Sequence, residues 1–185
     1  MKVPHEIRTQ RLVLRRHRDE DLDGFARFLA DDEAMRFIPF APVQRTRAGA
    51  KQIFDYVIES YDGEAPIFSL TIADPKSDAY FGTCGVQPLP DDGGLEVFFM
   101  VLPEFQGRGI ASEALSAVAD YVFSQDRKAR LVAFIVPENA ASLRVAKNLG
   151  FVDAGPITRE IVPGEVERGA LAGRRYVLER KRRRR

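Results

Sequence analysis

Residues 102–115 read LPEFQGRGIASEAL, and in them Gly107-Arg108-Gly109 separates a strand-like run from a helix-like one. The residue types bear on one chemistry, the holding of an anion. Pro103 has no amide hydrogen, so a pairing ladder that reaches it ends, and the chain can turn through Glu104, Phe105 and Gln106. Glycines at 107 and 109 let main chain approach a ligand that a side chain would block. The helix that follows begins with amides lacking internal partners and with the positive end of its dipole. Gly107, Arg108, Gly109, Ile110 and Ala111 would then aim N–H groups at a phosphate. Alone, a Gly-x-Gly is a weak signal, and a helix start whose glycines serve only the turn is the simpler alternative. The Gly-x-Gly-x-x-Ser outline also suits a dinucleotide loop, but that reading meets two objections. The stretch follows several strands instead of opening the domain. No acidic residue closes a second strand about 20 residues on, since Asp126 ends the same helix.

Other groups could move protons. Glu96 is the only ionisable residue in LEVFFMVL, residues 95–102. Burial in so apolar a strand disfavours the charged form, which suits a base acting directly or through water. The alternative is a strand-end Glu paired with an arginine. Asn139 and Ser142 open a helix-like run, where the residues alone read as a cap and a first-turn position. His5 and His17 have no partners at metal-ligand spacing, so no metal site is expected. Cys84 is the only cysteine; it excludes an internal disulfide and reads as a small buried strand side chain.

The elements that must position these groups follow from periodicity. The chain has 185 residues, 45% hydrophobic and 30% charged, which fits one globular domain. That domain is expected over 1–179, with a basic tail over 180–185. Without the last six residues, RKRRRR, Lys+Arg falls from 28 to 22 against 27 Asp+Glu, leaving a body of net −5. Such a tail is ordinarily solvated, and a weak ribosome or RNA contact is its functional alternative. No apolar run is long enough to span a bilayer, and MKVPHEIRTQ lacks a signal-peptide core, so a cytoplasmic location is expected.

RLVLRRHR reads as a strand, DEDLDGFARFLADD as a helix, and TRAGAKQIFDYVIESY as a second helix capped by Thr46. PIFSLTIAD and AYFGTCGVQPL read as strands joined by the turn DPKSD, and LEVFFMVL as a strand covered on both faces. A helix is expected from Gly109 to about Gln125, with Ile110, Ala114, Val118 and Val122 on its inner stripe. RLVAFIVP is a buried strand, NAASLRVAKNLG a helix stopped by Gly150, and FVDAGPITREIV with GRRYVLERK a hairpin.

With its flanks, the loop becomes specific. VLPEFQGRGIA, followed after one strand by PENAASLRVAKNLGF, resembles the GCN5-related N-acetyltransferases, whose acetyl-CoA motif Q/R-x-x-G-x-G/A lies behind a V-x-P strand end. The likeness runs over almost the whole chain. TQRLVLRRHRDED, EVFFMVLP, GIASEAL and ENAASLRVAKNLGF are similar to the RimJ/RimL branch, the ribosomal-protein N-terminal alanine acetyltransferases. That branch usually shows EIGYWLxP, and Phe98 stands here in place of its glycine, so the acceptor is not carried over with the family.

The resemblance implies an α/β fold with a central mixed, mostly antiparallel twisted sheet of six to seven strands and helices on both faces. It implies acetyl-CoA as cosubstrate, with its pyrophosphate on the Gly107–Ser112 amides behind Gln106. The pantetheine arm would pair with the backbone of Met100 and Val101, supported by Asn139. The Val101 N–H would polarise the thioester and Ser142 would protonate the leaving thiolate. The acceptor would be a peptide N-terminus or a small amine such as an antibiotic or metabolite. An α-amine, with a pKa near ~8 against ~10.4 for lysine, is the easier to deprotonate. LADDEAM and PGEVERGALAG would border its entrance. A silent acyl-CoA-binding module is the alternative from another class. Oligomeric state is open, a homodimer being one option.

Overall fold

Strand-forming runs and two-faced helices account for the architecture of the computed structural model, which describes residues 1–89, 93–160 and 170–180. The strands are β1 (Glu6–Arg8), β2 (Val13–Arg15), β3 (Phe68–Ala73), β4 (Tyr80–Leu89), β5 (Gly94–Val101), β6 (Arg130–Ile135), β7 (Val152–Glu160) and β8 (Ala170–Glu179). The helices are α1 (Leu22–Ala30), α2 (Asp32–Met35), α3 (Arg47–Ser60), α4 (Ile110–Gln125) and α5 (Ala140–Leu149). One sheet holds the strands in the order β1-β2-β3-β4-β5-β6-β8-β7. All neighbours are antiparallel except β5 and β6, which run parallel.

This is the mixed, mostly antiparallel sheet expected from the sequence, with eight strands among the described residues where six to seven were expected. The first strand accounts for the difference. Glu6-Ile7-Arg8 is too short to show alternation and is held by pairing with Val13–Arg15. The single turn α2 was likewise hidden, in a stretch whose fold depends on Asp31 accepting the Ala34 amide.

β5 is covered on both faces, as its unbroken apolar run required. Val97 and Val101 join one core cluster with Ala114, Val118 and Val122 of α4, while Met100 joins the other with Phe25, Phe28 and Leu29 of α1 and Phe54 of α3. Small residues let α4 lie close to the sheet, where Ala114 and Val118 are fully buried. Thr46 caps α3 by accepting the Gly49 amide, and Gly150 ends α5 in the left-handed region at φ 81°. Cys84 is buried in β4, and burial pushes its thiol up to about 12. No helix among the described residues is long and apolar enough to cross a membrane. Arg180 donates to the Phe123 carbonyl. The rest of the basic tail and most of the PGEVERGALAG loop lie outside the described residues.

Candidate active site

The site begins where two strands part. β5 and β6 pair only at Leu95↔Leu131 and Glu96↔Val132, while β6 continues along β8 to Ile135↔Arg174. From Val97 onward that edge of β5 has no strand beside it among the described residues. The Leu102 amide donates to the Phe81 carbonyl at 2.9 Å. Counting back from that bond, the antiparallel alternation turns the amides of Met100, Phe98 and Glu96 toward β4, and those of Val101, Phe99 and Val97 toward the gap. An extended ligand would therefore meet main chain at Phe99 and Val101. Of the expected pair, Val101 turns its amide to the gap, whereas Met100 lines the cleft with its amide facing β4.

The strand end leads straight into the loop. Pro103–Phe105 form a 3-10 turn, and Gln106 Nε2 donates back to the Val101 carbonyl at 2.9 Å, closing the corner. Gly107 and Gly109 adopt φ of 73° and 77°, a region that L side chains enter only under strain. Gly109 caps α4 with no side-chain hydrogen bond to the helix start. The first-turn amides are thus left for a ligand. A Cβ at Gly107 would meet nothing within 4 Å, so the space above the loop is open.

A clamp that sequence spacing gave no means of finding holds this loop. Arg11 donates from its amide and from Nε to the Glu113 carboxylate, at 2.9 and 2.6 Å, and from Nη1 to the Arg108 carbonyl at 3.0 Å. Thr9 Oγ1 donates to Glu113 as well. Partial burial alone would raise the Glu113 carboxyl, but the bonds from Thr9 and Arg11 hold it below the usual carboxylate range. The partners are about a hundred residues apart in sequence, and only an acidic first-turn residue on α4 hinted at a cation beside it.

The parted strands, the loop and two further elements enclose a cleft of about 600 Å³. One wall is the start of α4 with α5, bringing Asn139, Ser142 and Arg144 to Phe99, Val101 and the Gly107–Ser112 segment. The other comes from the end of α1 and from α2, with Phe28, Asp31, Phe37 and Ile38. Charge is unevenly divided between the walls. Most described arginines are ion-paired. Arg108 and Arg144 have no carboxylate partner among the described residues, Arg108 lying 5.7 Å over the Phe105 ring. On the other wall Asp32 and Glu33 are paired with Arg45 and Arg36, whereas Asp31 has no cation partner among the described residues. Unpaired cations thus stand by the loop, and an unpaired carboxylate opposite.

An uncapped helix start, open space at Gly107, a free strand edge and unmatched arginines on one wall together suit an elongated ligand with amides and phosphates. The sequence profile of the acetyltransferase (GNAT) domain matches residues 11–152. The chain belongs to that family. This GNAT acetyltransferase is 30% identical over 151 residues to p20 of Bacillus licheniformis, itself an uncharacterised N-acetyltransferase, covering 80% of this chain and 82% of p20. Its fold is similar to that of a GNAT-family acetyltransferase from Bacillus anthracis, with TM-score 0.77 and 20% identity over 94% of this chain and 98% of the other. It is also similar to that of a ribosomal-protein-S5-alanine acetyltransferase from Vibrio fischeri, with TM-score 0.71 and 19% identity over 94% and 96% of the two chains. Membership implies an acyl-CoA donor and N-acetyl transfer.

The remaining expected groups of this acetyltransferase divide. Asn139 accepts the Ser142 amide at 3.0 Å, the cap that the residues alone suggested, and it also lines the cleft. Ser142 lines the cleft with a hydroxyl that has no partner among the described residues. Glu96 stands apart from it. Buried on β5, its carboxylate accepts from Arg159 Nη1 and Nη2 at 2.6 and 2.9 Å and from Gln87 Nε2 at 2.7 Å. The alternative weighed from sequence, a carboxylate paired with an arginine, describes this arrangement; its partner comes from β7, too distant in the chain to be read.

Proposed function

We propose that the protein transfers the acetyl group of acetyl-CoA to the α-amino group of a peptide or protein N-terminus, as the RimJ/RimL resemblance suggests. The observation that carries the donor half is the unbroken path from the free β5 edge at Phe99 and Val101 to the uncapped start of α4. The thioester supplies an activated acetyl carbon. Everything else falls to this chain's residues.

The Gly107–Ser112 amides, with Arg108 and Arg144 nearby, receive negative charge, while the Val101 N–H is directed at the carbonyl oxygen where charge grows. Such a donor, fixed before reaction, acts without reorganisation. Water takes a proton from the ammonium, and the free amine forms the C–N bond as the C–S bond breaks. The nitrogen's second proton leaves to water, and the Ser142 hydroxyl gives one to the sulfur and recovers it from solvent. Glu96 does not line the cleft, and its carboxylate is held by Arg159 and Gln87. We therefore assign it to fastening β5 at the last pair before the strands part. An α-amine suits this assignment, because it is easier to deprotonate than lysine by roughly two units.

Release of free thiol from acetyl-CoA, measured over a panel of peptides and small amines, tests the reading. Peptides with free N-termini should be turned over faster than N-blocked peptides carrying lysine, and Ser142→Ala should lower kcat by about a hundredfold with KM for acetyl-CoA little changed. Turnover confined to lysine side chains would overturn the acceptor assignment. Full turnover by Ser142→Ala would remove the proton donor.

A further inference from the structure

The wall opposite the loop is the part of the cleft that donor binding leaves unexplained. It is built from the last turn of α1, from α2 and from the chain just beyond. Phe28 is 3% exposed and Phe37 and Ile38 are half-buried. Among these apolar groups stands Asp31. Its Oδ1 accepts the Ala34 amide at 2.8 Å as the cap of α2, and its other oxygen accepts nothing among the described residues. The neighbouring carboxylates are exposed and each has an arginine beside it, Asp32 accepting from Arg45 through Oδ1 and Glu33, which also lines the cleft, lying 3.7 Å from Arg36. Within this wall Asp31 is thus the half-buried carboxylate without a cation partner among the described residues, beside a surface that offers carbon.

An acyl donor lying along β5 and the α4 start takes up the other wall, so the nucleophile must come from this side. At neutral pH it arrives as an ammonium ion. We infer that the acceptor is a primary amine whose amine-bearing carbon carries a bulky apolar group, received as a cation by Asp31 with its carbon skeleton against Phe37 and Ile38. For a peptide this means a large apolar first residue, such as Phe, Leu or Ile, in place of a small or acidic one. The chemistry of the wall decides this. A polyamine would bring its further charges toward Arg36, which lies beside Glu33 and 5.1 Å over the Phe37 ring, and an aminoglycoside would leave hydroxyls against Phe28, Phe37 and Ile38 without partners. An acidic first residue would face Asp31. The inference rests on the donor reading above.

The test uses the whole protein. Kinetics with acetyl-CoA are measured on peptides beginning with Phe, Leu, Ala, Ser or Asp, on phenethylamine and on spermidine, and acetyl-CoA binding is measured separately by calorimetry. The apolar-first peptides or phenethylamine should exceed spermidine and the Asp-first peptide by at least about tenfold in kcat/KM, and the two kinds of apolar amine distinguish a peptide source from a free one. Asp31→Asn keeps a good helix cap while removing the charge. It should raise KM for the preferred amine about tenfold, leaving KM for acetyl-CoA and the melting temperature unchanged. Phe37→Ala should cost the apolar amines severalfold and spermidine nothing. Preference for spermidine or for the Asp-first peptide, an unchanged amine KM in Asp31→Asn, or inertness toward every apolar amine while acetyl-CoA still binds would overturn the inference and leave the donor reading intact. Absence of acetyl-CoA binding would remove both.

Discussion

Two polar regions of this molecule are built on opposite terms. At the start of α4 main-chain donors are left without partners among the described residues, on the rim of a cleft. Between β2, β3 and α3 a denser set of polar groups is sealed in the interior, and there the functional groups satisfy one another. Asp21 Oδ2 accepts from Arg15 Nη1 at 2.6 Å, from the Arg18 amide at 3.0 Å and from Thr71 Oγ1 at 2.8 Å. Because the Thr71 hydroxyl gives its proton to Asp21, it can only accept from His17 Nδ1, 2.6 Å away. That fixes the tautomer, leaving Nε2 to accept from Ser69 Oγ at 2.8 Å. A His, a carboxylate and two hydroxyls in a row resemble catalytic machinery in composition. What separates them from a site is that they are buried, satisfied and absent from the residues lining the cleft. In this protein the incomplete polar region borders the cleft and the complete one lies in the interior.

The sharpest way to break that comparison is to open the sealed network. Asp21→Ala leaves the Arg15 guanidinium buried at 4% exposure, with Asp78 as its remaining carboxylate partner. We expect a loss of about 3 kcal/mol, the lower end of the range for breaking a buried pair. It would be read as a lowered urea midpoint at constant slope, with unchanged acetyl-CoA affinity in the folded fraction. A fall in affinity without loss of stability would mean the network serves the site.

The same network predicts a pH dependence. Burial, the leading cause, lowers His17 to about 4 from 6.5, and nearby Arg15 also lowers it against the opposing pull of Asp21. Burial would raise the Asp21 carboxyl, but hydrogen bonds from Arg15, Arg18 and Thr71 hold it below its usual value. Between pH 6.5 and 4 the unfolded chain binds a proton at His17 that the folded chain refuses. The His17 contribution is therefore fully present above 6.5 and falls with pH through that window, approaching about 1.4 kcal/mol per pH unit. Below about 4 it levels off, and protonation of Asp21 follows at lower pH. Urea midpoints from pH 7 to 4 check this, and His17→Gln should flatten the slope.

What the sequence disclosed follows the same division. The strands and helices with long periodic runs, the Thr46 cap, the Gly150 stop and the two-faced burial of β5 were legible, because each depends on residues adjacent in the chain. The loop was legible for the same reason, its proline and glycines falling within residues 103–109. The Arg11–Glu113 clamp, the Arg159 partner of Glu96 and the Asp21 network were hidden, since each joins residues brought together only by the sheet. Which amides of β5 face the gap depends on register with β4, and a one-residue slip exchanges Met100 for Val101. Phe98 shows the same limit. Its ring lies against Gly85, where an added Cβ would come within 2.6 Å of the ring, so the bulk at 98 is matched by an absence across the strand pair.

The finest test separates the strain of a left-handed residue from the loss of a ligand cradle, since one substitution at the loop produces both. Gly109→Val forces a β-branched residue to φ 77°, at a cost of about 1–2 kcal/mol. Its Cβ also comes within 3.3 Å of Arg11 Nη2, loosening the clamp on the Arg108 carbonyl. We expect acetyl-CoA affinity to fall about a hundredfold, equivalent to about 2.7 kcal/mol. Gly150→Val supplies the control: it imposes the same strain at φ 81° with open space around its Cβ, at the far end of α5. The two variants should lose similar stability in thermal melts. Only Gly109→Val should lose calorimetric affinity for acetyl-CoA, because only there does the changed main chain carry the α4 first-turn amides and the clamp from Arg11.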